Sequence, residues 1–152
     1  IEAKNRYYAF DLVPSFWEFM DDAFSGTDVR SISMVYKELA DGSDELAQWV
    51  KDRKSAEVFL DVSDADTQQV YASIANDLSA STHYKPAGVA QFLSGADPWL
   101  AAKAKTIGAT VVTHELYDPN CKKRVPLGNV CHDEGVTVIN TFDFMRAHSI
   151  TF

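Results

Sequence analysis

The sequence predicts an α/β protein in which a central parallel sheet is covered by helices on both faces, a three-layer α/β/α sandwich. Two observations carry this prediction. Short, nearly all-apolar segments alternate with helical segments, and strands that are apolar on both faces are typical of buried parallel sheets. The chain has 152 residues, of which 46% are hydrophobic, which is enough to build a core of its own. We therefore interpret residues 1–152 as one domain.

The first third of the chain shows helix start and stop signals on either side of a short apolar segment. Pro14 suits a first helical turn and Gly26 suits a helix end, and the aromatic face between them is expected to be buried. An apolar stretch at 29–32 then leads to Ser33, which we predict to be the N-cap of a second helix that Gly42 ends.

The next elements repeat this alternation. Ser43 is predicted to open a third helix, with acidic residues in its first turn and basic residues at its end. EVFLDV then predicts a buried strand. Ser63 and Asp66 form a variant of the capping box in front of a long helix, and KPAGVAQFLSG predicts a further one.

The segment SGADPWLAAKAKTIGATVVTHE predicts a helix followed by a strand. Asp97 is expected to be the N-cap, Pro98 the first helical residue and Gly108 the helix end, with a strand over 109–113. Beyond it, the pattern predicts a helix from about Pro126, then VTVIN as a strand and TFDFMRAH as a last helix.

This arrangement is expected to bring two acids to one edge of the sheet. The helix after Asp97 and the strand before Glu115 run in opposite directions and have similar lengths, so both residues should lie at the carboxyl edge, where open α/β sheets bind ligands. Two carboxylates there would repel each other unless a cation lay between them, and carboxylate oxygens select Mg²⁺ or Mn²⁺. The alternative is that Asp97 only caps a helix and that Glu115 is a solvated loop acid.

Composition limits the class of protein. Fourteen Lys and Arg against twenty-two Asp and Glu give a net charge of −8, so broad nonspecific binding to nucleic acid is not indicated. The two cysteines, Cys121 and Cys131, are too few and too far apart for a zinc ribbon or a disulfide framework. No apolar run approaches the length of a membrane helix and no signal peptide is visible. We expect a cytoplasmic protein with no membrane partner.

Four segments together resemble the PIN-domain ribonucleases, and more narrowly a bacterial PIN-like family of unknown function related to VapC-type toxins. In order along the chain they are PSFWEFM, ISMVYKELADGSDELAQWV, FLSGADPWLAAKAKTIGATVVTHE and KKRVPLGNVCHDEGVTVINTFDFM. The resemblance covers nearly the whole chain. It implies an endoribonuclease in which several acids surround one or two Mg²⁺ or Mn²⁺ ions.

Carried over to these positions, the resemblance makes Glu38, Asp97 and Glu115 the metal-binding and catalytic acids. Thr113 would fix a ligand or a water, and Glu115 stands where the family more often has Asp. PIN domains also begin with a central strand that carries a first catalytic Asp, in a pattern such as DTN or DSN. That strand and that Asp do not precede the segment IEAKNRYY here. We expect a native chain with about ten more residues upstream, because the remaining sequence is patterned to bury such a strand.

RNA and protein partners follow from the same resemblance. Phosphate contacts are assigned to the basic cluster Lys122, Lys123 and Arg124, and to Lys4 and Arg6 near the start. Small nucleases of this family are often toxins paired with an antitoxin that blocks the acidic cleft, and they commonly form homodimers.

Two functions from other classes stay open. The first is a catalytically inactive PIN-like interaction module, which the missing Asp would suit. The second is a Mg²⁺-dependent phosphatase acting through an aspartyl phosphate, for which FLDVSD, with Asp61 and Asp64, is the internal candidate. The spacing of its acids does not match the DxD signature of such enzymes.

Overall fold

The structure, a computed structural model, describes residues 8–26, 29–55 and 57–148. The chain divides into two compact units, the first running to Asp61 and the second beginning at Val62. The predicted α/β class is confirmed, since these described residues form eight helices and two parallel two-stranded pairs. The three-layer sandwich and the single domain stay predictions.

The first unit contains three helices and one strand pair. β1 pairs in parallel with β2, with Ser31 opposite Phe59 and Ile32 opposite Leu60. The helices begin and end close to the positions that proline, glycine and the acidic turns predict. The elements are α1 Pro14–Ser25, β1 Ser31–Ile32, α2 Ser33–Ala40, α3 Glu45–Asp52 and β2 Phe59–Leu60.

Aromatic rings fill the core of the first unit. Tyr8 stacks on Phe16 with ring centroids 4.0 Å apart, and Phe10 stacks on Trp17 at 3.9 Å. Trp17 also meets Trp49 edge-on at 5.1 Å, and its indole nitrogen donates a hydrogen bond of 2.9 Å to the carbonyl oxygen of Tyr8. Offset and edge-on contacts of this kind stabilise a core beyond the area that they bury. The aromatic face predicted for the first helix is confirmed as a core face.

The second unit contains five helices and one strand pair. β3 pairs in parallel with β4, with Val111 opposite Val138. The core here is aliphatic, and α4 packs against α6, where Ala101 and Ala102 are fully buried. The elements are α4 Ala65–Ala80, α5 Pro86–Leu93, α6 Asp97–Ile107, β3 Val111–Val112, α7 Leu127–Asp133, β4 Val138–Ile139 and α8 Thr141–Ala147.

The predicted N-caps of α2, α3 and α4 are each wrong by one residue. Asp44, not Ser43, caps α3 and accepts a hydrogen bond of 3.0 Å from the backbone nitrogen of Ala47. Asp64, not Ser63, caps α4 in the same way. In each case an aspartate stands beside the serine, and a carboxylate makes the stronger bond to the N–H groups at the positive end of the helix dipole. At α2 the N-cap is Ile32, and the predicted cap Ser33 is the first helical residue.

The strands are shorter than the apolar segments that predict them. The strand predicted over 109–113, for example, is a ladder of two residues, Val111–Val112. A search for membrane-spanning segments found, in the part of the chain that the structure describes, no helix both long and apolar enough to cross a bilayer.

Candidate functional site

Asp97 is the first residue of α6 and is exposed. The prediction that it is the N-cap is wrong, because Ala96 holds that position and Pro98 follows as a buried residue of the first turn. An acid in the first turn still interacts favourably with the helix dipole. Gly108 ends the helix in the left-handed conformation with φ 66°, which confirms the predicted stop.

The charge of Asp97 reaches α7. Cys131 on that helix is fully buried, and burial raises the pKa of its thiol to about 12, with a further contribution from the negative charges of Asp97 and Glu134. Desolvation and a neighbouring carboxylate both disfavour a thiolate. Cys131 therefore stays protonated at neutral pH.

Glu115 is tied to the start of the same helix. Its Oε1 accepts a hydrogen bond of 2.6 Å from Arg124, and its Oε2 accepts one of 3.0 Å from the backbone nitrogen of Leu127. The backbone nitrogen of Glu115 donates to the hydroxyl of Thr113 at 3.1 Å. Glu115 lies in a loop with its side chain 35% exposed, and two donors bind its carboxylate.

Asp97 and Glu115 are therefore both associated with α7, because α6, which begins at Asp97, packs against α7 and Leu127 of α7 donates to Glu115. Leu127, which donates to Glu115, and Cys131, which feels the charge of Asp97, are separated by four residues, or about 6 Å along the axis. Glu38, the third predicted acid, is an exposed residue of α2 in the first unit.

The donor chemistry of the second unit fits a hard divalent cation only in part. Asp97 and Glu115 offer carboxylate oxygens, and Mg²⁺ is usually held by one or two carboxylates while it keeps several waters. Within residues 8–26, 29–55 and 57–148, however, no three or more His, Cys, Asp or Glu side chains are grouped so that they could hold a metal ion. Arg124 also competes for one oxygen of Glu115.

Asn129 was not singled out from the sequence, and the structure makes it a central residue of this region. It is 3% exposed, its Oδ1 accepts from the backbone nitrogen of Asp118 at 2.8 Å, and its Nδ2 donates to the Tyr84 hydroxyl at 2.8 Å and to the Asp118 carbonyl oxygen at 2.9 Å. The sequence feature that could have identified it is a polar side chain inside the apolar stretch LGNVC. A buried amide needs partners, so it fixes the loop after Glu115.

The predicted phosphate-binding residues differ in their surroundings. Lys122 and Lys123 are exposed, whereas Arg124 is paired with Glu115 at 2.6 Å. Lys4 and Arg6 lie outside the described residues.

Asp64, a candidate nucleophile for an aspartyl phosphate, has contacts that indicate a structural role. It caps α4, and Lys103 lies 2.7 Å away and, together with the capping bond from Thr67, lowers the pKa of the carboxyl to about 2. A carboxylate already held by a cation and a helix end is poorly suited to act as a nucleophile.

The comparisons with known proteins were made for the whole sequence. Neither the curated proteins nor the solved structures gave a match. One family model, described as a domain of unknown function, matches residues 1–152. The chain belongs to this family, the domain of unknown function DUF4411.

Proposed function

We propose that this chain is a Mg²⁺- or Mn²⁺-dependent endoribonuclease that hydrolyses RNA phosphodiester bonds, with a PIN-like three-layer sandwich as its complete fold. The observation that best supports the proposal is that α7 packs against α6, which begins at Asp97, and also binds the carboxylate of Glu115 through the backbone nitrogen of Leu127. Two carboxylates associated with one helix can supply the first protein ligands of a cation site.

Each residue has a distinct proposed role. Asp97, exposed at the start of α6, is the principal metal ligand. Glu115 is the second acid, and Thr113 holds its backbone through the hydroxyl. Glu38 is included as a third acid on the resemblance to PIN domains alone. A bound divalent cation supplies a Lewis acid for a phosphate oxygen and lowers the pKa of a bound water.

Arg124 controls the state of Glu115. The guanidinium and the backbone nitrogen of Leu127 together hold the carboxylate against the first turn of α7. Because 56% of the Arg124 side chain is exposed, it is accessible to a phosphate group, which would release one oxygen of Glu115.

The proposed biological role is that of a toxin controlled by an antitoxin, with a homodimer as the active form. An antitoxin can act by placing an Arg or Lys among the acids, where its charge competes with the metal. The Arg124–Glu115 pair is an example of such an interaction within this chain.

A catalytically inactive interaction module is the second candidate, and one observation favours it. Both carboxylate oxygens of Glu115 already accept hydrogen bonds within the chain. A carboxylate held in this way is less available to a metal ion.

A Mn²⁺-dependent RNA cleavage assay on Asp97→Asn tests the proposal. Asn is nearly isosteric with Asp, so the fold should persist while cleavage falls by about a hundredfold or more. Glu18→Gln is the matched control, because Glu18 is an exposed acid of α1 for which no role is proposed. Full activity of Asp97→Asn would refute the metal site.

Glu38→Gln and Glu115→Gln refine the assignment. Loss of cleavage in both variants is expected if the three acids act together. Wild-type protein that cleaves no single-stranded or structured RNA in Mn²⁺ or Mg²⁺ would favour the interaction module instead.

A further inference from the structure

Seven lysine and arginine side chains belong to the second unit, and they divide into two groups. Four are in ion pairs with carboxylates, and they are Lys103, Lys105, Arg124 and Arg146. The other three are Lys85, Lys122 and Lys123, which are exposed and form no ion pair with any described residue. In a chain of net charge −8, three uncompensated cations in one unit are unexpected.

The backbone that carries Lys85 lies against the backbone that carries Lys122 and Lys123, although 37 residues separate Lys85 from Lys122. The backbone nitrogen of Lys85 donates a hydrogen bond of 2.8 Å to the carbonyl oxygen of Lys122. Next to it, His83 Nε2 lies 3.1 Å from the carbonyl oxygen of Cys121.

Gly88 fixes the same neighbourhood from α5. A Cβ atom at this position would lie only 2.4 Å from the carbonyl oxygen of Lys123, so only glycine permits the close approach. The lysines therefore stand on backbone that is held in place rather than on a freely moving loop.

An aromatic surface adjoins this cluster. Tyr117 is 51% exposed and stacks on His132 with ring centroids 4.2 Å apart. Asn129 links the two regions, since it binds the backbone of Asp118 on one side and the hydroxyl of Tyr84, the neighbour of Lys85, on the other. Its buried amide thus holds the aromatic and basic segments together.

We propose that Lys85, Lys122 and Lys123 bind the phosphate backbone of single-stranded RNA, and that Tyr117 provides a surface on which an unpaired base stacks. Uncompensated cations beside an exposed ring form the combination by which proteins hold single strands. The inference deepens the proposed function by naming the residues that hold its substrate, and it rests on that function.

The acidic side chains near this surface already have partners within the chain. Glu115 is bound to Arg124, and an oxygen of Asp118 accepts from the backbone nitrogen of Asn120 at 2.9 Å. Asp133, 69% exposed, lies 3.3 Å from the ring nitrogen of His132. An RNA strand is favoured over an acidic protein segment, because a stacking ring adds nothing for a carboxylate chain.

Fluorescence anisotropy with a labelled oligouridine RNA in EDTA tests the proposal without cleavage. The triple variant Lys85→Gln, Lys122→Gln, Lys123→Gln should bind at least about tenfold more weakly, and the slope of log affinity against log salt should fall by about 2. The matched control is Lys37→Gln, Lys51→Gln, Lys54→Gln, which removes the same charge from exposed lysines of the first unit. It should bind within about twofold of the wild type.

The ring is tested separately. Tyr117→Ala should weaken oligouridine binding by about tenfold, and Tyr117→Phe should restore it because the ring is retained. Thermal melting of each variant confirms that the fold is kept.

The outcomes separate this inference from the proposed function. Equal losses in the two triple variants, no loss in either, or binding of polyglutamate but not of RNA would each overturn the RNA surface. Binding of oligouridine by Glu18→Gln, at an exposed acid with no proposed role, is expected at wild-type affinity. If RNA binds at the lysines but no RNA is ever cleaved, the nuclease proposal fails and the binding surface stands.

Discussion

The two units hold their helices together by different means. Stacked rings fill the first, as in the Tyr8–Phe16 pair with centroids 4.0 Å apart. In the second, small residues let backbones approach, as at Gly128, where an added Cβ would lie 2.3 Å from the carbonyl oxygen of Glu115. Stacked rings can shift slightly and stay in contact, whereas two backbone segments in close contact leave no room for such a shift. The second unit can thus hold Glu115 and its loop rigidly.

Charge is also arranged differently in the two units. A cleft of about 980 Å³ in the first unit is lined by residues of both signs, and its Arg53 binds both carboxylate oxygens of Asp21. In the second unit, Lys85, Lys122 and Lys123 have no such partner among the described residues. An ion pair inside a cleft mainly supports structure, while grouped unpaired cations are available to a ligand.

The largest effect on stability is expected from removing a ring of the first unit. Phe16→Ala deletes a side chain that is 3% exposed and stacked on Tyr8, and it should lower the free energy of unfolding by about 3–5 kcal/mol. Urea denaturation measures the change. Leu12→Ala, at a position 77% exposed, is the control and should change it by less than about 0.5 kcal/mol. A small effect of Phe16→Ala would mean that the ring core is not the source of stability there.

A smaller but more local effect is expected from Gly128→Ala. The new methyl group would push on the backbone of Glu115 and Leu116, at a cost of about 1–3 kcal/mol, and should loosen the Arg124 pair. Hydrogen exchange at the Leu127 amide reports the displacement. In the first unit, Gly26→Ala meets only ordinary contacts at 3.5 Å and should be neutral. If both substitutions proved neutral, the rigid hold on Glu115 would be refuted.

The smallest expected effect concerns pH and the Asp64–Lys103 pair. The pKa of Asp64 is lowered from 3.8 to about 2, chiefly by Lys103, so the folded state binds the proton less readily than the unfolded chain. The stability from this group is therefore present above pH 4 and is lost as the pH falls toward 2. Thermal melting of Asp64→Asn, which keeps a capping side chain, should show a weaker decline over this range than the wild type. Identical declines would assign the acid sensitivity to other groups.

The sequence by itself determined the order and type of the elements. Proline at the start of α1 and glycine after α6 act through their own backbone geometry, so Pro14 and Gly108 mark helix ends in any context. The aromatic spacing of the first helix likewise predicted its buried face, because helical periodicity is a local property. The basic cluster at Lys122 and Lys123 was also visible, as its members are neighbours in the chain.

The tertiary structure decided what each functional group contacts. That Arg124 binds Glu115, that Asn129 joins two segments, and that Lys85 lies beside Lys122 all depend on chain segments brought together by packing. Local periodicity carries no information on such pairs, since it fixes which face of an element is buried but not what covers it. The same limit applies at Asp97, where the sequence predicted an acid at the start of a helix, whereas the influence of its charge on Cys131 depends on packing.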